Sequence, residues 1–168
     1  MKRRILNLFL ITFGTLLFSS CSYNTIIAYD EASKKAWADV EAAYQRRNDL
    51  IGNLVETVKG VAKYEKETLE AVVEARSKAT SVQFSADELT PENMAKFQEA
   101  QNQMSGALSR LLVVVEKYPD LKAPQAYSDL MNELERTENR INIARRDYNQ
   151  AVQTYNTKIR SFPSNITA

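Results

Sequence analysis

The sequence predicts an all-α protein, an elongated antiparallel up-and-down helical bundle. Apolar residues recur at alternating steps of three and four along three long stretches, the signature of helices that share a seam. Those stretches are rich in Ala, Glu, Lys and Leu, all good helix formers. With 4 Gly and 4 Pro in 168 residues, the chain lacks the turn residues of a hairpin-rich β fold. The length suits one domain with a sizeable core.

The elements follow in order. Lys2, Arg3 and Arg4 form a basic start, and Ile5 to Phe18 carry no charge. Ser19, Ser20 and Cys21 follow, which is the order of a secretory signal ending in a lipoprotein box. The expectation is a signal peptide over 1–20, a lipid anchor on Cys21 and a tether over 21–27. An uncleaved span is the competing reading, because no charge falls between Ile5 and Ala28. Polar residues interrupt that stretch from Asn7 to Thr25. Both readings place the domain in the cell envelope, outside the cytoplasm, with the outer membrane as the default where one exists. Cleavage removes three of the 22 basic residues, leaving 19 against 21 acidic, a net of −2.

The first seam runs Trp37, Val40, Tyr44, Arg47, Ile51, Leu54, Val58, Val61, Glu65, Leu69, Val72 and Arg76. Such a helix would be about 75 Å long if straight, and half its seam would lack a partner. Gly52 offers a break, with Asn48 or Asp49 as a restart cap. A break there gives four helices; an unbroken helix gives three. Thr90-Pro91 starts the next helix, with Thr90 as cap and Pro91 in its first turn. Its seam passes through Phe97, Gln101, Met104, Leu108, Leu111 and Val115, and Pro119 ends it. The last helix begins near Pro124. Its seam runs Tyr127, Leu130, Leu134, Thr137, Ile141, Arg145, Tyr148, Val152, Tyr155, Ile159 and Phe162, and Pro163 stops it. The bundle domain is expected over 28–163, followed by a short tail over 164–168.

Composition excludes much chemistry. There is no His and one Cys, so Ser-His and Cys-His pairs, His-containing metal sites and disulfide frameworks are absent. No cofactor or metal is expected. A formal charge of +1 offers no field for nucleic acid. Glu65, Glu67, Glu70 and Glu74 read as a solvated acidic face, since bundle di-metal sites use Glu-x-x-His.

Four charges fall on otherwise apolar seams: Arg47, Glu65, Arg76 and Arg145. They read either as interhelical pairs that fix register or as a polar site inside the bundle. Arg145 is expected to pair with Glu65, with the Tyr148 hydroxyl completing the network. Tyr148, Tyr155 and Phe162 read as core aromatics. Asn142, Asn149 and Asn156 recur every seven residues, as a solvated stripe or as an interaction stripe for a partner helix or another copy.

Three stretches resemble the LemA family of bacterial envelope proteins. They are Arg46-Arg47-Asn48-Asp49-Leu50-Ile51-Gly52-Asn53-Leu54-Val55-Glu56-Thr57-Val58-Lys59-Gly60, then Tyr118-Pro119-Asp120-Leu121-Lys122-Ala123, and Thr137-Glu138-Asn139-Arg140-Ile141 with Ala144-Arg145, Tyr148-Asn149, Tyr155-Asn156 and Phe162-Pro163. Tyr23-Asn24 matches a pair near the family's start. The resemblance implies an up-and-down helical bundle held at a membrane by its N-terminus, and it carries over no catalytic residue. The family usually has Pro where this chain has Gly52, and most members resemble single-span proteins rather than lipoproteins. The function expected is a non-enzymatic scaffold or adaptor that binds another protein or itself. The alternative is a small-ligand sensor using the polar residues inside the bundle.

Overall fold

The computed structural model describes the backbone of residues 2–63, 65–122 and 124–166, and the side chains of these except residues 2–22, 61 and 62. All described regular structure is helical. The helices are α1 (Lys2–Thr57), α2 (Lys66–Ser81), α3 (Pro91–Glu116), α4 (Pro119–Lys122) and α5 (Gln125–Arg160), with 3-10 turns at Lys59–Lys63, Ala86–Glu88 and Ser164–Ile166. Among residues with described side chains, no helix is long and apolar enough to cross a membrane. Cys21, the expected lipid anchor, lies outside those residues.

The first long stretch does break, but not at Gly52. Helix α1 runs through Gly52 and ends at Thr57, and the turn 59–63 separates it from α2. Ile51 and Leu54 are fully buried beside Gly52, so their packing outweighs the glycine's cost of about 1 kcal/mol. The break belongs to Gly60 instead. A Cβ there would stand 2.8 Å from Leu121 Cδ2, so a larger residue would push the Leu121 side chain aside.

The chain divides into two compact units, residues 38–144 and residues 1–37 with 145–168. In the first, α1, α2, α3 and α5 share one core. Leu50, Ile51 and Leu54 meet Val72, Ala75 and Ala79 of α2, Met104, Leu111 and Val115 of α3, and Tyr127 and Leu134 of α5. Tyr44 packs on Phe97 and Arg47 bonds Gln101, so α1 and α3 run in the same direction, as alternate helices of an up-and-down bundle do. The α3 start is as expected: Thr90 Oγ accepts from the Asn93 amide at 3.1 Å, and Pro91 fills the first turn.

In the second unit, Ile26, Trp37 and Ser164 are buried. The rings of Trp37 and Tyr148 meet at 5.3 Å. Burial pushes the Tyr148 hydroxyl above the usual tyrosine range. Phe162 is 81% exposed, which corrects its reading as a core aromatic. It lies beyond the end of α5, before the cis peptide bond to Pro163, where the helical seam no longer applies.

Candidate functional site

The polar centre of the 38–144 unit is built on successive turns of α1. Val40, Tyr44, Arg47, Ile51, Leu54 and Val58 form its buried stripe, and Arg47 is 5% exposed among them. A buried guanidinium must find acceptors. Its Nη2 donates to Gln101 Oε1 on α3, and its Nη1 reaches Ser105 Oγ and Glu138 Oε2 of α5 at 3.4 Å each. Its Cζ lies 4.9 Å from the Tyr44 ring centre. One side chain thus ties three helices together. Its Nε has no acceptor.

Asn48 follows, 4% exposed, and its Oδ1 has no donor. Its backbone carbonyl accepts a second bond, from Arg76 Nε at 2.8 Å. The Arg76 guanidinium lies over Gly52, where a Cβ would stand 2.9 Å from Cζ. Gly52 is therefore a seat for an arginine rather than a helix break.

Two cavities flank the Arg47–Gln101 pair. The smaller, about 130 Å³, is walled by Tyr44, Asn48, Phe97 and Gln101, with Glu41, Gln45 and Gln83. The larger, about 510 Å³, is a groove between α3 and α5. Its apolar lining is Ile51, Met104, Leu108, Leu112, Met131 and Leu134, and Arg47, Glu135 and Glu138 supply its charges.

The remaining expected residues fall elsewhere. Arg145 is exposed, and Ala144 takes the inward position. The seam steps Ile141, Ala144, Tyr148, not Ile141, Arg145, Tyr148. Glu65 is half-buried, just before α2, and the described ion pairs do not include it. The expected Arg145–Glu65 pair is thereby corrected: an exposed guanidinium is satisfied by water. Tyr148 packs on Trp37 and joins no network with Arg145. Asn142 and Asn149 are exposed and Asn156 is half-buried. Glu67, Glu70 and Glu74 are exposed, and lysines pair with two of them along the helix, Lys66 with Glu70 and Lys78 with Glu74. Sequence reasoning found Arg47 and passed over Gln101 and Glu138. The signal was present: Gln101 is the one polar residue within the run Phe97, Gln101, Met104, Leu108 and Leu111.

A model of the LemA family matches residues 36–168. Magnetosome protein MamQ 1 of Paramagnetospirillum magneticum is 29% identical over 163 residues, which cover 87% of this chain and 60% of that protein. Protein LemA of Metamycoplasma hominis is 27% identical over 161 residues, 95% of this chain and 70% of its own. The chain spans about 60% of the length of the magnetosome relatives it matches.

Proposed function

The chain belongs to the LemA family, and on that premise we propose that it is a non-enzymatic adaptor held at a membrane, whose four-helix unit docks an apolar helix of a partner protein. The observation that carries this reading is the groove between α3 and α5. Leu108, Leu112 and Met131 line it and are only partly buried, over a floor of fully buried Ile51 and Met104. An amphipathic helix binds such a groove by spaced apolar anchors, and Met side chains adapt to them. Arg47 and Glu138 are engaged with each other, so Glu135 favours a partner with a basic residue beside its apolar face. The membrane end of the reading rests on Lys2, Arg3 and Arg4, the apolar stretch Ile5–Phe18 and Cys21.

The groove's polar groups support binding rather than catalysis. Ser105 and Ser109 donate back to the carbonyls of Gln101 and Ser105, each at 2.9 Å. Each hydroxyl proton is thus committed to its own helix rather than to a general base, which a nucleophilic serine needs.

A photo-cross-linking residue tests the groove in cells. Placed at Leu112 it captures one protein. Placed at Val113, 62% exposed and outside the groove, it captures none. The captured protein, once purified, binds the unaltered chain and not Leu108→Glu, whose circular dichroism is unchanged. Equal capture at both positions, or binding that survives Leu108→Glu, overturns the reading.

A further inference from the structure

We propose that the unit of residues 1–37 and 145–168 lies against a lipid bilayer, with Phe162 and Ile166 seated in its headgroup boundary at the level of Tyr23 and Ile27. This rests on the membrane end of the reading above and goes beyond it. An anchor holds the chain near a membrane; this surface sets which end of the unit meets the lipid. Single exposed apolar side chains are ordinary. Here, however, four of the seven large ones described fall in this one unit, with Phe162 81% and Ile166 71% exposed.

The unit's own register brings the four to one end. Trp37 of α1 meets Tyr148 of α5, and α5 beyond Tyr148 belongs with residues 1–37, so it runs back along α1 toward Lys2. Tyr23 precedes Trp37 by as many residues as Phe162 follows Tyr148, about 20 Å along either helix. Phe162 therefore stands level with Tyr23. Tyr23 and Ile27 are one turn apart and share a face of α1, beside the buried Ile26. Ser164 is buried, which ties the closing turn to the unit and leaves Phe162 and Ile166 outward.

The course of α1 says what covers this end. It is one helix from Lys2 through Tyr23, and Ile5 to Phe18 carry no charge. A lipid on Cys21 and a span over the uncharged run both put Tyr23 at the bilayer surface, and Phe162 with it. Aromatic side chains favour that boundary. The charge pattern agrees. Residues 23–29 carry none, and residues 158–166 carry Lys158 and Arg160 with no carboxylate. Asp30 and Glu31 come next along α1, and Lys34 meets both. Basic side chains beside an apolar edge lay their stems along it and reach lipid phosphates.

The test uses the full chain reconstituted into vesicles of phosphatidylcholine and phosphatidylglycerol, with and without lipids brominated near the headgroup end of their acyl chains. Trp37 is the one tryptophan and is buried, so its emission is the background. Phe162→Trp, at an exposed position that tolerates the change, adds emission that is blue-shifted in vesicles and loses at least half its intensity to the brominated lipid. Gln150→Trp, exposed on α5 about 18 Å further from that end, adds emission with neither property. Both variants keep the circular dichroism of the unaltered chain. A chain that floats with the vesicles while Phe162→Trp stays unquenched overturns this proposal and leaves the anchor standing; a blue shift without quenching then identifies a protein contact in place of lipid. Equal quenching at both positions also overturns it. An unaltered chain that does not float with the vesicles overturns the anchor and this proposal together.

Discussion

Arg47 and Arg145 occupy the same apparent place in two apolar stripes, and the two regions treat them oppositely. Around Arg47, helices α1, α3 and α5 close in, and the guanidinium finds Gln101, Glu138, Ser105 and a tyrosine ring. Around Arg145 the seam shifts by one residue to Ala144, and the charge stays in water. A charge on a heptad seam is therefore not evidence of burial by itself. It is held inside only where a neighbouring helix offers an acceptor at the same level.

The contrast breaks most directly by removing each charge. Arg47→Ala strands Gln101 and opens a buried gap, so it should cost about 3–5 kcal/mol, the range for breaking a buried charged pair. Arg145→Ala should stay within about 0.5 kcal/mol, as surface changes do. Urea unfolding of the two variants measures both. Similar losses would show that Arg145 is as engaged as Arg47.

A second experiment sharpens the correction at Glu65. Arg145→Ala and Glu65→Ala should be additive within about 0.5 kcal/mol, as for sites without shared partners. A larger coupling in the double mutant would restore the pair that the helix register denies.

Gly52 offers a smaller effect whose sign depends on its neighbour. Gly52→Ala gains about 1 kcal/mol of helix propensity. It also displaces the Arg76 guanidinium and its bond to the Asn48 carbonyl, worth about 0.5–1.5 kcal/mol. The two nearly cancel, so the single mutant should change stability by less than about 1 kcal/mol. In an Arg76→Ala background the same change should stabilise by about 1 kcal/mol. Equal effects in both backgrounds would show that Arg76 does not need the glycine.

The smallest expected effect compares the two units by pH. Tyr127, in one, has its hydroxyl held above the usual range by burial and by the Glu116 charge; Tyr148, in the other, by burial. In each case the folded state holds its proton more tightly than the unfolded state. That contribution is intact below about pH 10 and is lost as pH rises through the folded values. Tyr148→Phe and Tyr127→Phe should each flatten the fall in Tm between about pH 9 and 11. Unchanged slopes would contradict the burial of the hydroxyls.

Much of the fold was legible in the sequence because heptad patterns report helices and their inner faces directly. The α3 seam, its Thr90 cap and the stop at Pro119 were readable for that reason. The break after Thr57 was not. Val58, Val61 and Glu65 continue the heptad through it, and the close approach of Gly60 to Leu121 is a tertiary fact. The register error at Arg145 has a similar cause: Ala144 is too small to announce an inward position. Of the polar centre, Arg47 was visible and its partners were not, because pairing across helices depends on their relative heights. Asn48 read as a helix cap, yet it lies buried inside α1 with its Oδ1 unpaired.

The central claim is that Arg47 is held inside the four-helix unit by its bond to Gln101. The most direct measurement is the double-mutant cycle of Arg47→Ala and Gln101→Ala by urea unfolding. A coupling of about 1–3 kcal/mol, with the double mutant little worse than Arg47→Ala alone, is the expected result. Losses that simply add would contradict it.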